Sequence, residues 1–252
     1  MTIFRALFST TIMVIALSSA PARAEDFSTT SLLAEYAGNL RDPYYGNNAV
    51  DGAVNIVTLE HFGTWEYGDN FFFVDMVSGR LADFNGNDAH TRSRLYLEWG
   101  PRISLSKVSG TPVAFGPVRD VLLAAQVNRD GEGYNVEMFG LGVDLALPAF
   151  SQFSVNLYSR KDNLNSRTYQ VTASWGLPFT ALSAPFLFEG YIDVAGTDNN
   201  GEDINTQPRL FVDLSKLAGK QKSALLAGVE WYYHKNRWME MNVPLWTLKW
   251  NW

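Results

Sequence analysis

Trp246-Thr247-Leu248-Lys249-Trp250-Asn251-Trp252 is the stretch on which the reading of this chain turns. Large apolar side chains hold every second position, and Thr247, Lys249 and Asn251 fall between them. Successive side chains of a strand point to opposite faces, so this is a strand with one aromatic face and one polar face. As a bare edge in water it would be an aggregation hazard. Closing it against the first strand of a barrel removes the edge, and lipid accepts the aromatic face. Trp246, Leu248 and Trp250 are therefore expected to face lipid, and Thr247 and Lys249 the lumen.

The same period of two recurs upstream. Phe153, Val155 and Leu157 oppose Ser154, Asn156, Tyr158 and Arg160, and Leu95, Leu97 and Trp99 oppose Arg94, Tyr96 and Glu98. Tyr169, Val171, Ala173, Trp175 and Leu177 oppose Thr168, Gln170, Thr172 and Ser174. Apolar faces that end in Trp, Tyr or Phe, set against a polar face, are the pattern of a lipid-facing band with aromatic girdles. A soluble β-sandwich shows the same alternation with inside and outside exchanged, and alternation by itself does not separate the two.

Strands are predicted near 53–63, 68–79, 93–107, 118–128, 134–147, 151–161, 166–177, 185–195, 206–215, 223–235 and 237–252. Polar, Gly-rich stretches such as Asn128-Arg129-Asp130-Gly131-Glu132-Gly133 separate them, with tighter links at Pro148-Ala149-Phe150 and His234-Lys235-Asn236-Arg237. Long and short connections are expected to alternate, as extracellular loops and periplasmic turns do. Single-chain bacterial barrels have an even number of strands, so one is missed and twelve is the expectation. Residues 25–52 show no clean period and are read as a non-barrel N-terminal segment, either a tail or a partial plug, or else as the missing strand. Residues 53–252 are read as the barrel.

Residues 1–24 read as a cleaved signal peptide. Arg5 supplies a positive start, residues 7–20 are apolar, and Ala22-Arg23-Ala24 is a small-x-small cleavage site. The chain has no Cys, so disulfides cannot staple it. Its net charge of −6, without any Lys/Arg cluster, argues against nucleic acid as a partner. Aromatic residues make up 14% of the chain, yet no apolar run beyond the signal reaches the roughly 20 residues of a membrane-spanning helix. An exported chain of this kind has one membrane solution, an all-β, antiparallel transmembrane barrel in the outer membrane of a Gram-negative cell.

Trp65-Glu66-Tyr67-Gly68-Asp69-Asn70-Phe71-Phe72-Phe73-Val74-Asp75, with Glu60-His61 before it, resembles the Tsx/OmpK family of nucleoside-specific outer-membrane channels. The resemblance continues in order through Gly100-Pro101-Arg102, Gly140-Leu141-Gly142-Val143-Asp144-Leu145, Tyr169-Gln170, Phe188-Glu189-Gly190 and Gln207-Pro208. It implies a monomeric twelve-stranded barrel that passes nucleosides and deoxynucleosides by passive diffusion and that serves in some members as a phage or colicin receptor. The family commonly ends on Phe, whereas this chain ends on Trp252. An alternating final strand with a terminal aromatic also resembles the signature read by the barrel-assembly machinery, which adds that machinery and outer-membrane lipid or lipopolysaccharide as expected partners.

A nucleoside presents a flat base and a hydroxyl-rich sugar without charge. Aromatic rings would stack the base, and ionisable groups would hydrogen-bond the sugar and the base edges. Parity puts Phe71, Phe73 and Asp75 on one face, and Asp75 assigns that face to the lumen. Phe71 and Phe73 are the candidates for stacking; the alternative is that they fill a narrow barrel. Tyr67, Asp69, Glu60, Arg102, Arg160, Glu189 and Arg209 complete the candidate solute-binding set. Glu98, Asp120, Asp144, Asp193, Asp213 and Glu230 are further predicted lumen residues. Enzymatic chemistry finds little support, because the three histidines, His61, His90 and His234, have no Ser at productive spacing in sequence. Nothing implies a cofactor, and three scattered His with no Cys give no metal pattern.

Overall fold

A computed structural model describes residues 27–38, 40, 53–81, 90–198, 201–237 and 240–252. The predicted signal peptide, residues 1–24, lies outside them. Strands β1 (Phe27–Ala37), β2 (Val54–Trp65), β3 (Gly68–Leu81), β4 (His90–Ser104) and β5 (Val118–Asp130) open the chain. β6 (Asn135–Leu145), β7 (Gln152–Asp162), β8 (Thr168–Ala181) and β9 (Ala184–Gly196) follow. β10 (Glu202–Thr206), β11 (Arg209–Asp213), β12 (Leu225–Lys235) and β13 (Glu240–Asn251) complete the sheet, and short helices α1 (Leu105–Ser109) and α2 (Leu214–Leu217) sit in two of the links.

Every strand pairs antiparallel with its neighbours, and β10 and β11 both lie between β9 and β12. They are two halves of one strand interrupted at Gln207-Pro208, so the barrel has twelve strands. It closes where β1 meets β13, from Ser31↔Asn251 to Tyr36↔Trp246. No edge is left to template aggregation, and the backbone groups of the final strand are satisfied on both sides.

The barrel thus begins at Phe27. Of the three readings of residues 25–52, Phe27–Ala37 realises the missing strand, and the non-barrel reading does not hold for it. Its inward positions include Leu33 and Ala37, both fully buried, which erase the polar half of the alternation. Ala37 is apolar because it packs within an apolar part of the lumen. Ala37, Leu40, Val54, Ile56, Leu81, Met241 and Leu245 form one buried apolar cluster at the far end of the β13–β1–β2–β3 wall. Leu40, just past β1, therefore packs inside the barrel.

The final strand behaves as its sequence dictates. Trp246 is 69% exposed on the outer wall, while Lys249 on the inner wall is 6% exposed. Phe139, Leu141, Leu157 and Leu95 likewise project outward, an apolar wall that suits hydrocarbon and would aggregate in water. Loop lengths do not sort by end as expected. The end that carries β2–β3 and β8–β9 has two-residue turns, with Leu182 and Ser183 both at positive φ as a type I′ turn requires. That same end also carries the longer links with α1 and α2.

Candidate functional site

The barrel encloses a cavity of about 840 Å³, lined by residues from every strand. Ten carboxylates line it against five Lys or Arg side chains. Of the predicted binding residues, Phe71, Phe73, Asp75, Asp69, Glu60, Arg102, Arg160, Glu189 and Arg209 all line this cavity. Tyr67 does not. It sits in the tight β2–β3 turn, half exposed, with its ring edge-on to Trp65, because a two-residue turn carries its side chains away from the barrel axis. Asp120 and Asp213, also predicted to be lumenal, instead anchor the helices. Asp120 accepts hydrogen bonds from Ser104 and Ser106 at α1, and Asp213 caps α2 by accepting from the Lys216 amide.

The charged residues gather into clusters that join distant parts of the sequence. Arg102 on β4 forks onto Asp69 of β3, with Nε and Nη2 each 2.8 Å from a carboxylate oxygen, and its Nη1 reaches Asp144 of β6 at 3.0 Å. A bidentate guanidinium–carboxylate pair fixes both partners in orientation as well as in place. Three of the sequence blocks quoted above, around residues 69, 102 and 144, meet in this one contact.

A second cluster crosses the lumen. Arg209 on β11 donates to Glu230 at 2.5 Å and to Glu60 of β2 at 2.9 Å. Lys249 on β13 donates to Glu60 at 2.9 Å and to Glu189 of β9 at 2.7 Å. Strand β11 lies four places round the wall from β2, with β12, β13 and β1 between them, so these side chains form a bar across one side of the pore. The interruption at Gln207-Pro208 aligns it. Pro208 has no N–H to give the ladder, and the strand breaks there. Gly190 opposite has φ of 153°, and a Cβ on it would stand 2.7 Å from the Gln207 carbonyl oxygen. Only glycine fits, which gives the Glu189-Gly190 and Gln207-Pro208 pairs of the motif a physical reason.

The β3–β4 wall is different. Phe73 stands opposite Glu98, and Asp75 opposite Tyr96, so rings and carboxylates alternate on it. The Phe73 ring lies 6.0 Å from Phe71 and 5.9 Å from Tyr96 between centroids. Glu98 accepts from Tyr96 at 2.5 Å, Gln126 at 2.7 Å and Asn128 at 2.9 Å, and Asp75 accepts from Thr58 at 2.6 Å. Tyr96, Gln126, Asn128 and Thr58 were not among the sequence candidates, although strand parity on β2, β4 and β5 places all four inward.

The histidines assemble no hydrolytic site among the described residues. His61 faces outward, bonded to Thr30 Oγ1 at 2.9 Å and stacked on Phe72. His234 lines the lumen against Asp203 at 2.7 Å. No group of His, Cys, Asp and Glu suited to a metal ion is present among the described residues.

A closed twelve-stranded barrel with an apolar outer wall and a charged lumen of solute size defines an outer-membrane channel protein. The sequence matches the family described as "Nucleoside-specific channel-forming protein, Tsx" over residues 44–240, and the chain belongs to that family. The outer membrane protein OmpK of Vibrio parahaemolyticus is 29% identical over 130 residues, half of this chain and 49% of that protein. OmpK of Vibrio parahaemolyticus serotype O3:K6 (strain RIMD 2210633) is 28% identical over 136 residues, again half of each. The chain spans about half the length of these curated relatives in the matched region. Among solved structures, the KdgM porin in complex with disordered oligogalacturonate gives a TM-score of 0.49 at 8% identity, over 88% of this chain and 98% of that one.

Proposed function

We propose that the barrel is a passive, substrate-selective channel for nucleosides and deoxynucleosides, acting as a monomer and without enzymatic activity. The observation that carries this reading is the β3–β4 wall, where Phe71 and Phe73 stand in the lumen beside carboxylates. A flat base stacks on such rings, and ribose hydroxyls donate to such carboxylates. Conduction asks for weak contacts at several sites, since tight binding would stall release. Membership of a family described as nucleoside-specific supports the same substrate class. Purified protein in planar bilayers is expected to show small conductance steps that adenosine and thymidine reduce and that a hexose leaves unchanged. No nucleoside effect in conducting membranes would refute the specificity.

A second reading, a structural or receptor barrel for phage or colicin with little conductance, draws on one observation. Leu40 and its apolar cluster occupy part of the lumen. On that reading conductance is negligible and rises when residues 38–52 are shortened to a tight turn; on the channel reading conductance is present beforehand.

A further inference from the structure

We propose that the β3–β4 wall of the lumen also binds small organic cations, the class that joins a protonated amine to a flat apolar body. This goes beyond the nucleoside reading, because nucleosides carry no charge.

Three observations lead there. First, charge in the lumen is unbalanced. All five lumenal cations are within ion-pair reach of other carboxylates, Arg119 the farthest at 4.0 Å. Asp75, Glu98 and Asp193 have no cation within ion-pair distance among the described residues and are held by neutral hydroxyl and amide donors. All three line the same cavity. Second, Glu35 on β1 lines the same cavity, is 6% exposed, and has Oε1 without any hydrogen-bond donor among the described residues. A buried carboxylate oxygen left without a partner is costly, and either a proton or a cation arriving in the lumen would relieve it. Third, Phe73 and Tyr96 alternate with Asp75 and Glu98 on that wall. A ring face attracts a cation within about 6 Å of its centroid and also covers an apolar body. Carboxylates with neutral donors on one side and open lumen on the other, interleaved with rings, make a surface for an aromatic or alkyl ammonium ion.

The test uses 2-phenylethylammonium and its uncharged counterpart 2-phenylethanol on the full-length barrel in planar bilayers. The reversal potential in a KCl gradient is expected to favour K⁺. The amine is expected to half-block the current at a concentration at least about tenfold below that of the alcohol, the pattern of a cation held by both charge and ring. In the double variant Asp75→Asn/Glu98→Gln, shown to be folded by heat-modifiable gel mobility, this preference is expected to fall at least about tenfold. Equal block by amine and alcohol, a chloride-selective pore, or undiminished amine preference in the folded variant would each overturn the proposal. Should the double variant not fold, the comparison of amine with alcohol on the unsubstituted barrel decides. Adenosine block, measured in the same membranes, keeps the two readings apart. An amine effect without an adenosine effect sinks the nucleoside reading alone, and the reverse sinks this one.

Discussion

Two walls of one lumen solve opposite problems. Between β9 and β2, Arg209 and Lys249 knit Glu60, Glu189 and Glu230 into a bar in which every charge has a partner. On β3 and β4, Asp75 and Glu98 meet only neutral donors and keep one side toward open lumen. The first wall, Glu35 on β1 apart, spends its charge on itself and sets the shape of the pore. The second leaves charge and ring surface available to whatever passes. A carboxylate in a pore is thus read by what already satisfies it, and position in the lumen alone does not make it a binding group.

Breaking the bar should have the largest effect. Arg209→Met would leave Glu60 and Glu230 buried without their shared cation, and folding in lipid vesicles, followed by urea titration, is expected to lose about 3–5 kcal/mol. A loss below 1 kcal/mol would mean that water already screens the bar, and the contrast between the walls would fail. Next comes the kink that aligns it. Gly190→Ala forces a Cβ against the Gln207 carbonyl at a positive φ and is expected to cost about 1–3 kcal/mol in the same titration. On the other wall the readout changes from stability to solute. Phe73→Ala should raise the adenosine concentration for half-block by about tenfold or more, the loss of about 1–3 kcal/mol of stacking. If block is unchanged, Phe73 is filling and not a platform. The smallest effect belongs to a pair outside the comparison. Lys235 and Glu240 bridge at 2.9 Å with both side chains about half exposed, and Lys235→Ala should leave the urea midpoint where it was, because solvent already screens the pair. That null marks burial, and not ion pairing as such, as the source of the bar's weight.

Parity carried much of this in the sequence. Trp246 to Trp252 announced its two faces because its neighbours inside are polar and its neighbours outside are lipid. Nine of the ten predicted binding residues line the lumen for the same reason, since a period of two leaves a strand residue only two directions to point. Tyr67 failed because it belongs to a turn, where that rule lapses. Strand β1 stayed one reading among three because Leu33 and Ala37 are apolar although they point inward, so its two sides look alike in sequence. Which carboxylates are closed by cations was invisible, because Glu60 and Arg209 meet across the pore with 149 positions between them in the chain. No local pattern encodes that distance.

The seam between β1 and β13 has a kinetic meaning as well as a structural one. Ser31 bonds Asn251 across 220 positions of chain, whereas every other neighbouring pair is consecutive along the chain, the split strand β10–β11 counted as one. Closing so long a loop carries an entropic cost that the hairpins do not meet, so contacts of this sequence separation form slowly. Closure of this seam is therefore expected to be slower than formation of the hairpins. Until it forms, the aromatic final strand has only β12 as a partner and one edge unpaired.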